Sequence, residues 1–174
     1  SFVEDAFYGG ELGQKIAQDV QKNGGIITVD DLKTYKTTET APVMGTYRGY
    51  EIASMPPPSS GGVHVIQMLN ILEGYPIDSL GHNSAGTIHL MAEAMRLAFA
   101  DRSEHLGDPA FWEVPMKGLI SKSYADELRN KINLDKAGNS KVVLPGMPQD
   151  FESEETTHFS VVDRFGNTVS NTYT

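Results

Sequence analysis

Thr156 and Thr174 are the residues of this 174-residue chain whose type and spacing could perform nucleophilic catalysis. A threonine hydroxyl is a poor nucleophile at its own pKa and needs a base beside it. The α-amino group of a chain-terminal threonine can be that base, since α-amines titrate near pH 8 in peptides. Thr156 acquires such an amine only when the peptide bond after Glu155 is cut. The chemistry that this site predicts is therefore self-cleavage followed by acyl transfer through the threonine oxygen.

A predicted hairpin brings the two threonines together. Residues 158–163 and 168–174 are rich in strand-forming types, and the loop between them contains Gly166, which suits a left-handed position. Counting back along both strands puts Thr156 across from Thr174. Opposed residues lie roughly 4.5–5.5 Å apart at Cβ, so the second hydroxyl could orient and polarise the first. By spacing alone, a pair of threonines at this point is more often an ordinary strand start.

Helical segments come before the hairpin. Apolar residues recur at helical spacing over residues 10–23. Thr28 and Asp30 offer caps for a short helical turn over residues 31–35. Residues 47–55 then alternate in a way that predicts a strand. These elements predict a mixed α and β fold.

A strand, turn and helix unit follows at residues 56–62, which read PPPSSGG. The prolines end the strand and a serine caps the apolar helix that follows. We interpret this turn as structural, because no lysine follows at the spacing of a phosphate-binding loop. A longer helix is predicted from a cap at Ser84 to about His105. Its broad apolar face is predicted to lie in the core: Ile88, Met91, Ala92, Met95, Leu97, Ala98 and Phe99.

The last third of the chain changes character. A helix is predicted around residues 121–132, and residues 135–155 lack periodicity and predict a mobile linker before the hairpin. The chain therefore divides into a mostly helical part, residues 1–155, ending in a processing linker, and a hairpin, residues 156–174. The first residue is not methionine and the last residues are strand-like, which predicts that both ends are cut from a longer protein.

Composition excludes several functional classes. The formal net charge of −9 gives no broad attraction to phosphate backbones, so we expect no nucleic-acid partner. No apolar run approaches the length of a membrane span, and no basic-then-apolar leader is present. The absence of cysteine excludes disulfides and thiolate chemistry from these residues.

Other polar residues are expected to be structural. The histidines have no spacing that matches a metal motif, and His89 with Glu93 reads as a pair on a helix surface. Asp101 and Arg102 predict a buried ion pair with neighbouring residues rather than a substrate contact. His158 lies two residues from Thr156 and so on the same strand face, where either a supporting hydrogen bond or simple packing is possible.

Several motifs resemble the γ-glutamyltranspeptidase family. Nearly the whole chain takes part in the resemblance, in the family's order along the sequence. The matching segments are residues 23–25 with Asp31, Leu32 and Tyr35, residues 56–62, residues 100–104 with 106–109, residues 156–163, Gly166 with Asn167, and residues 172–174.

The resemblance implies a fold and a set of site residues. It implies part of the αββα sandwich of N-terminal-nucleophile hydrolases, in the mixed α/β (α+β) class. Thr156 takes the position of the catalytic threonine, Thr174 that of the activating second threonine, and the cleavage site lies between Glu155 and Thr156. His158 and Thr172 are expected to support them. No metal or organic cofactor is implied.

The resemblance also implies substrates and partners. The activity would be γ-glutamyl transfer from glutathione or related γ-glutamyl compounds to an amino acid, a peptide or water. The remaining large- and small-subunit segments of the same precursor would be partners, and the location would be periplasmic or secreted. Substrate-binding and oxyanion-hole residues would lie outside these 174 residues, so we expect the isolated chain to be inactive.

Two alternatives remain open at this point. Relatives with the same fold include cephalosporin acylases and poly-γ-glutamate depolymerases, so the substrate could differ. A non-catalytic interaction domain is the other alternative, in which case replacing Thr156 would change neither chain integrity nor activity.

Overall fold

The structure, a computed structural model, describes residues 5–152 and the backbone of two strands, Thr157–Val162 and Thr168–Tyr173. The chain forms two compact units, Ser1–Thr40 and Ala41–Thr174. The candidate chemistry belongs to the second unit.

The first unit is helical. A π-helical turn, Asp5–Gly9, leads into α1, Glu11–Lys22, and α2 covers Val29–Thr34. Helix α2 begins at a capping box in which the Thr28 hydroxyl accepts from the Asp31 amide at 3.2 Å and the Asp31 carboxylate accepts from the Thr28 amide at 2.7 Å. Both predicted helices are confirmed, with Thr28 rather than Asp30 as the cap.

The second unit opens with a hairpin where a single strand was predicted. Strand β1, Val43–Tyr47, pairs antiparallel with β2, Tyr50–Ser54. The turn between them is Arg48–Gly49, with φ of 49° and 85°. Two successive residues at positive φ form the tight turn that matches strand twist. The predicted strand over residues 47–55 is confirmed over Tyr50–Ser54 and wrong at Arg48 and Gly49, where the chain turns.

The strand, turn and helix unit is confirmed. Helix α3, Ser60–Glu73, begins at Ser59, whose hydroxyl accepts from the Gly61 amide at 3.1 Å. A Cβ on Gly62 would collide with the carbonyl of Met55, so the glycine lets the helix approach the end of β2 closely. The PPPSSGG turn therefore has the structural role expected of it.

After a short helix α4, Ile77–Leu80, comes the long helix α5, Ala85–His105, capped by the Ser84 hydroxyl as predicted. Its buried face agrees with the predicted one at Leu97 and Ala98 and differs elsewhere. The exposed fractions of Ile88, Met91, Met95 and Phe99 are 54%, 46%, 46% and 54%. The buried face combines four apolar residues, Leu90, Ala94, Leu97 and Ala98, with four polar ones, Thr87, Glu93, Asp101 and His105.

Two further helices complete the packed part of this unit: α6, Met116–Leu119, and α7, Lys122–Arg129, the latter at the predicted position and capped by Ser121. A 3-10 helix, Pro148–Phe151, follows a long irregular stretch. The core lies among α3, α5, α6, α7 and β1. Its buried members are Val43, Val63, Ile66, Ile71, Ala94, Leu97, Leu119, Tyr124, Ala125 and Leu128.

Strands β3, Thr157–Val162, and β4, Thr168–Tyr173, form an antiparallel pair. Thr157 pairs with Tyr173, and the register continues without interruption to Val162 opposite Thr168. The predicted hairpin is confirmed in position, direction and register over these residues.

Candidate active site and the network behind it

The predicted nucleophile lies one residue before the described part of β3. Thr156, Thr174 and Glu155 are outside the described residues, so their positions remain predictions. The described register puts His158 opposite Thr172 and Thr157 opposite Tyr173. The pairing of Thr156 with Thr174, one step beyond these residues, stays a prediction from the sequence count.

Asp101, on α5, is the centre of a buried polar network in the second unit. Its side chain is 1% exposed. One carboxylate oxygen accepts from the Gln67 amide group at 2.5 Å and the Tyr124 hydroxyl at 2.8 Å, and the other accepts from the backbone amide of Gly146 at 2.7 Å. Three uncharged donors therefore satisfy both oxygens of this buried side chain, and the described residues form no ion pair with it.

Burial shifts the pKa values of Tyr124 and His64, two side chains of this network, in opposite directions. Burial, reinforced by the Asp101 carboxylate, raises the pKa of the Tyr124 hydroxyl well above its usual range. Burial lowers the pKa of His64, although its contact with Gln67 and the charge of Asp101 oppose that change. His64 Nδ1 lies 2.8 Å from Gln67 Oε1, while Nε2 is buried with no hydrogen-bond partner among the described residues.

The same network reaches the irregular stretch that precedes Thr156. His105 Nε2 lies 3.0 Å from the Gly146 carbonyl oxygen, and His105 Nδ1 lies 3.2 Å from Gln149 Nε2. A Cβ on Gly146 would collide with the Tyr124 hydroxyl, so this backbone lies directly against the buried side chains. Residues 146–152 are called the anchored segment here.

A separate contact holds the end of the anchored segment. A Glu152 carboxylate oxygen accepts from the Gly118 backbone amide at 2.6 Å, on α6. Pro148 is buried, and a Cβ on Gly118 would collide with its carbonyl oxygen. The Phe151 ring lies 5.3 Å from that of Tyr124. The stretch expected to be a mobile linker is irregular, but from residue 146 to residue 152 it is fixed to the helices.

Two expectations about charged pairs are wrong. Asp101 bonds neutral donors, while Arg102 is exposed and lies over the Phe99 ring at 5.8 Å. His89 Nε2 lies 2.8 Å from the Asn133 carbonyl oxygen, and Glu93 is 4% exposed, bonded to Arg96 and to the Gly138 amide. The side chains of Asp101 and Glu93 are buried because both residues lie on the buried face of α5.

The sequence patterns did not predict the network contacts of Gln67, Tyr124 or Glu152. A signal for the first was present, because Gln67 lies one residue after Ile66 and four before Ile71, both buried. Asp101 likewise lies four residues after the buried Leu97. Glu152 carries no comparable periodic signal, since its partner Gly118 lies 34 residues away in sequence.

The described residues lack two further kinds of site, a metal cluster and a membrane-spanning helix. The described residues contain no cluster of three or more histidine, aspartate or glutamate side chains able to hold a metal ion. None of the described helices combines the length and hydropathy that a membrane crossing requires.

Sequence relatives identify the chain's family. The family profile described as gamma-glutamyltranspeptidase matches residues 3–174. The glutathione hydrolase proenzyme of Escherichia coli K12 is 51% identical over 170 residues, which cover 98% of this chain and 29% of the relative. The acylase ACY 1 proenzyme of Pseudomonas sp. SE83 is 50% identical, covering 98% of this chain and 30% of the relative. The chain thus spans less than a third of these curated relatives.

Solved structures agree with these relatives. The γ-glutamyltranspeptidase of Helicobacter pylori superposes with a TM-score of 0.75 at 45% sequence identity, over 88% of this chain and 44% of that one. The architecture is therefore part of the N-terminal-nucleophile hydrolase fold, as the motifs implied. With a family match that runs from residue 3 to residue 174, the chain belongs to the γ-glutamyltranspeptidase family.

Proposed function

We propose that this chain is part of a γ-glutamyltransferase and glutathione hydrolase precursor, in which Thr156 is first the cleaving group and then the catalytic nucleophile. The donor would be glutathione or another γ-glutamyl compound, and the acceptor an amino acid, a peptide or water. The enzyme would work through a γ-glutamyl ester on Thr156, without a cofactor. The remaining segments of the precursor would complete the substrate site.

Self-cleavage converts one peptide bond into an ester and then into two chain ends. The Thr156 hydroxyl oxygen attacks the Glu155 carbonyl carbon, the carbon–nitrogen bond breaks, and the hydroxyl proton is delivered to the leaving nitrogen. Water then hydrolyses the ester, which leaves a Glu155 carboxylate and a Thr156 with free amine and hydroxyl. That amine can serve as the base for each later attack on a substrate carbonyl.

The observation that supports this proposal most directly is the register of the β3–β4 pair. It is uninterrupted from Thr157 opposite Tyr173 to Val162 opposite Thr168. One further step in each strand would pair Thr156 with Thr174. Directly opposed residues have Cβ atoms roughly 4.5–5.5 Å apart, which brings two hydroxyls within hydrogen-bond reach. In this arrangement Thr174 orients the nucleophile. His158 and Thr172 form an opposed pair two residues further along the strands, on the same face.

Mass spectrometry of the full-length precursor tests the proposal. Wild-type protein should yield a new N-terminus at Thr156, and Thr156→Ala should remain one chain. Thr174→Ala should slow the cleavage or the later turnover of γ-glutamyl-p-nitroanilide. An intact wild-type chain, under conditions in which the protein is folded, would contradict self-cleavage.

An acylase is the second candidate, because the acylase ACY 1 proenzyme is 50% identical, against 51% for the glutathione hydrolase proenzyme of E. coli. The two functions share the threonine chemistry and differ in the acyl group accepted. Assaying the mature parent enzyme with γ-glutamyl-p-nitroanilide and with an acylated cephalosporin separates them. Preference for the cephalosporin would favour the acylase.

The isolated chain should be inactive, since we propose that its oxyanion-hole donors and substrate-binding residues belong to other segments of the precursor. Oxyanion donors commonly contribute roughly 3–4 kcal/mol each to transition-state stabilisation. The purified 174-residue chain should therefore leave γ-glutamyl-p-nitroanilide uncleaved. We further propose a periplasmic or secreted location, which cell fractionation of the native host would test.

A further inference from the structure

We propose that Asp101, His105 and Glu152 are positioning residues for cleavage of the Glu155–Thr156 bond. They would act by fixing the anchored segment, residues 146–152, and so limiting where the scissile bond can lie. This inference rests on the proposed self-cleavage and adds to it the part of the chain that aims the bond.

The first contact holds the start of the anchored segment at both of its backbone polar groups. The Gly146 amide donates to Asp101 at 2.7 Å, and the Gly146 carbonyl oxygen lies 3.0 Å from His105 Nε2. Both side chains belong to α5 and are at most 5% exposed. Because α5 packs in the core, this end of the segment has a rigid support.

The second contact holds the other end of the same segment. Glu152 accepts from the Gly118 amide at 2.6 Å, and between the two ends Gln149 lies 3.2 Å from His105. The 3-10 helix Pro148–Phe151 makes the intervening backbone compact. The segment is thus attached at residues 146, 149 and 152, to two different helices.

These attachments limit the reach of the residues that follow. From Glu152 to Thr156 there are four steps of the chain, which span at most about 14 Å. The scissile bond must therefore lie within that radius of Glu152. Attack by a hydroxyl on a neighbouring carbonyl requires a narrow near-attack geometry, and small displacements reduce its rate by large factors. A short connection that starts from the fixed Glu152 favours that geometry, whereas a long flexible linker would not.

The rate of appearance of the Thr156 N-terminus in freshly folded full-length precursor tests this inference. Glu152→Ala removes the last attachment and should slow cleavage about 10-fold or more. Glu152→Gln keeps an oxygen that accepts from the Gly118 amide and should retain at least about half of the wild-type rate. Rescue by the conservative variant separates positioning from a general effect of mutation.

A pair of insertions gives a test that does not depend on any single side chain. Gly-Ser inserted after Ser153 lengthens the tether and should slow cleavage about 10-fold or more. The same two residues inserted between Lys136 and Ala137, both exposed and upstream of the anchored segment, should leave the rate unchanged. Thermal denaturation in a Thr156→Ala background should show melting temperatures within a few degrees of the parent for both insertions.

The outcomes separate the inference from the proposed function. Wild-type cleavage with equal rates for Glu152→Ala and both insertions would overturn the positioning role alone. A wild-type precursor that stays uncut would overturn the positioning role together with self-cleavage. If Glu152→Ala fails to fold, the two insertions decide the question by the difference between their rates.

Discussion

At the scale of single residues, Asp101 shows how uncharged donors can satisfy a buried carboxyl side chain. Its two oxygens accept from Gln67, Tyr124 and the Gly146 amide, at distances of 2.5 to 2.8 Å. Charge-assisted hydrogen bonds of this length are stronger than neutral ones. The carboxylate therefore links helices α3, α5 and α7 to the anchored segment through one side chain.

Replacing Asp101 should cost far more stability than replacing the residue beside it. Asp101→Leu leaves three buried donors without an acceptor, and each unsatisfied group costs roughly 1–3 kcal/mol, so we expect a loss of about 3 kcal/mol or more. Arg102→Leu, at an exposed position, should change stability by less than about 0.5 kcal/mol. Urea denaturation of the 174-residue chain measures both. Equal effects would contradict the assigned role.

His64 should make stability depend on pH. Burial lowers its pKa in the folded state, so the unfolded chain takes up the proton first as pH falls. The stability gained from neutral His64 is complete above its ordinary pKa of about 6.5 and is lost as pH falls below that value. Denaturation midpoints of wild type should decrease between about pH 7 and pH 5 more steeply than those of His64→Gln. Parallel profiles for the two proteins would disprove it.

At the scale of elements, Lys122 joins the β1–β2 hairpin to α3 and α7. Its ammonium donates to the Thr46 carbonyl oxygen at 2.7 Å, to Asn70 Oδ1 at 2.6 Å and to Glu73 Oε2 at 2.5 Å. The other oxygen of Glu73 accepts from the Arg48 amide, in the hairpin turn, at 2.5 Å. One cation and one carboxylate thus fix the hairpin against the helices.

Breaking this junction should have a measurable but modest effect, because both side chains reach solvent. Lys122→Met should lower the free energy of unfolding by about 1 kcal/mol. Lys131→Met, which loses an exposed i,i+4 pair with Glu127, should lower it by no more than about 0.5 kcal/mol. The Lys122 bond and the Arg48 amide lower the pKa of Glu73. Its contribution is therefore present above the ordinary glutamate pKa of about 4.3 and is lost as pH falls through the lower folded value. Urea midpoints for wild type and Lys122→Met should converge at low pH, and a constant difference would contradict the assignment.

At the scale of the whole molecule, sequence reasoning succeeded where periodicity or capping carried the signal. The Ser84 and Thr28 caps and the β3–β4 register are examples, since each depends on local chemistry. It was right for Leu97 and Ala98 but failed for the rest of the predicted apolar face of α5, because hydrophobic spacing alone does not tell which neighbour covers a face. It also missed the attachment of Glu152 to Gly118, which depends on residues far apart in sequence.

The exposed stripe on α5, Ile88, Met91, Met95 and Phe99, gives a prediction about the rest of the precursor. A groove of about 470 Å³ runs beside Met95 and Phe99. The curated relatives are more than three times the length of this chain, and we expect the additional segments of the precursor to cover this stripe.

The double substitution Met91→Glu and Met95→Glu tests this expectation and should lower the yield of folded full-length precursor severalfold. In the 174-residue chain the same pair should leave the urea midpoint nearly unchanged and improve solubility. An equal loss of folded protein in the precursor and in the 174-residue chain would show that the stripe stabilises this chain itself, against the expectation.

Gly146 has a consequence for how this stretch can vary. A methyl group there would occupy the space of the Tyr124 hydroxyl, whereas the neighbouring Leu144 and Met147 are 76% and 58% exposed. In a library that randomises residues 144–147 one at a time, position 146 should accept glycine alone, while positions 144 and 147 accept most polar replacements. The absence of a side chain at Gly146 thus lets the backbone contact the interior within a stretch whose other exposed positions tolerate substitution.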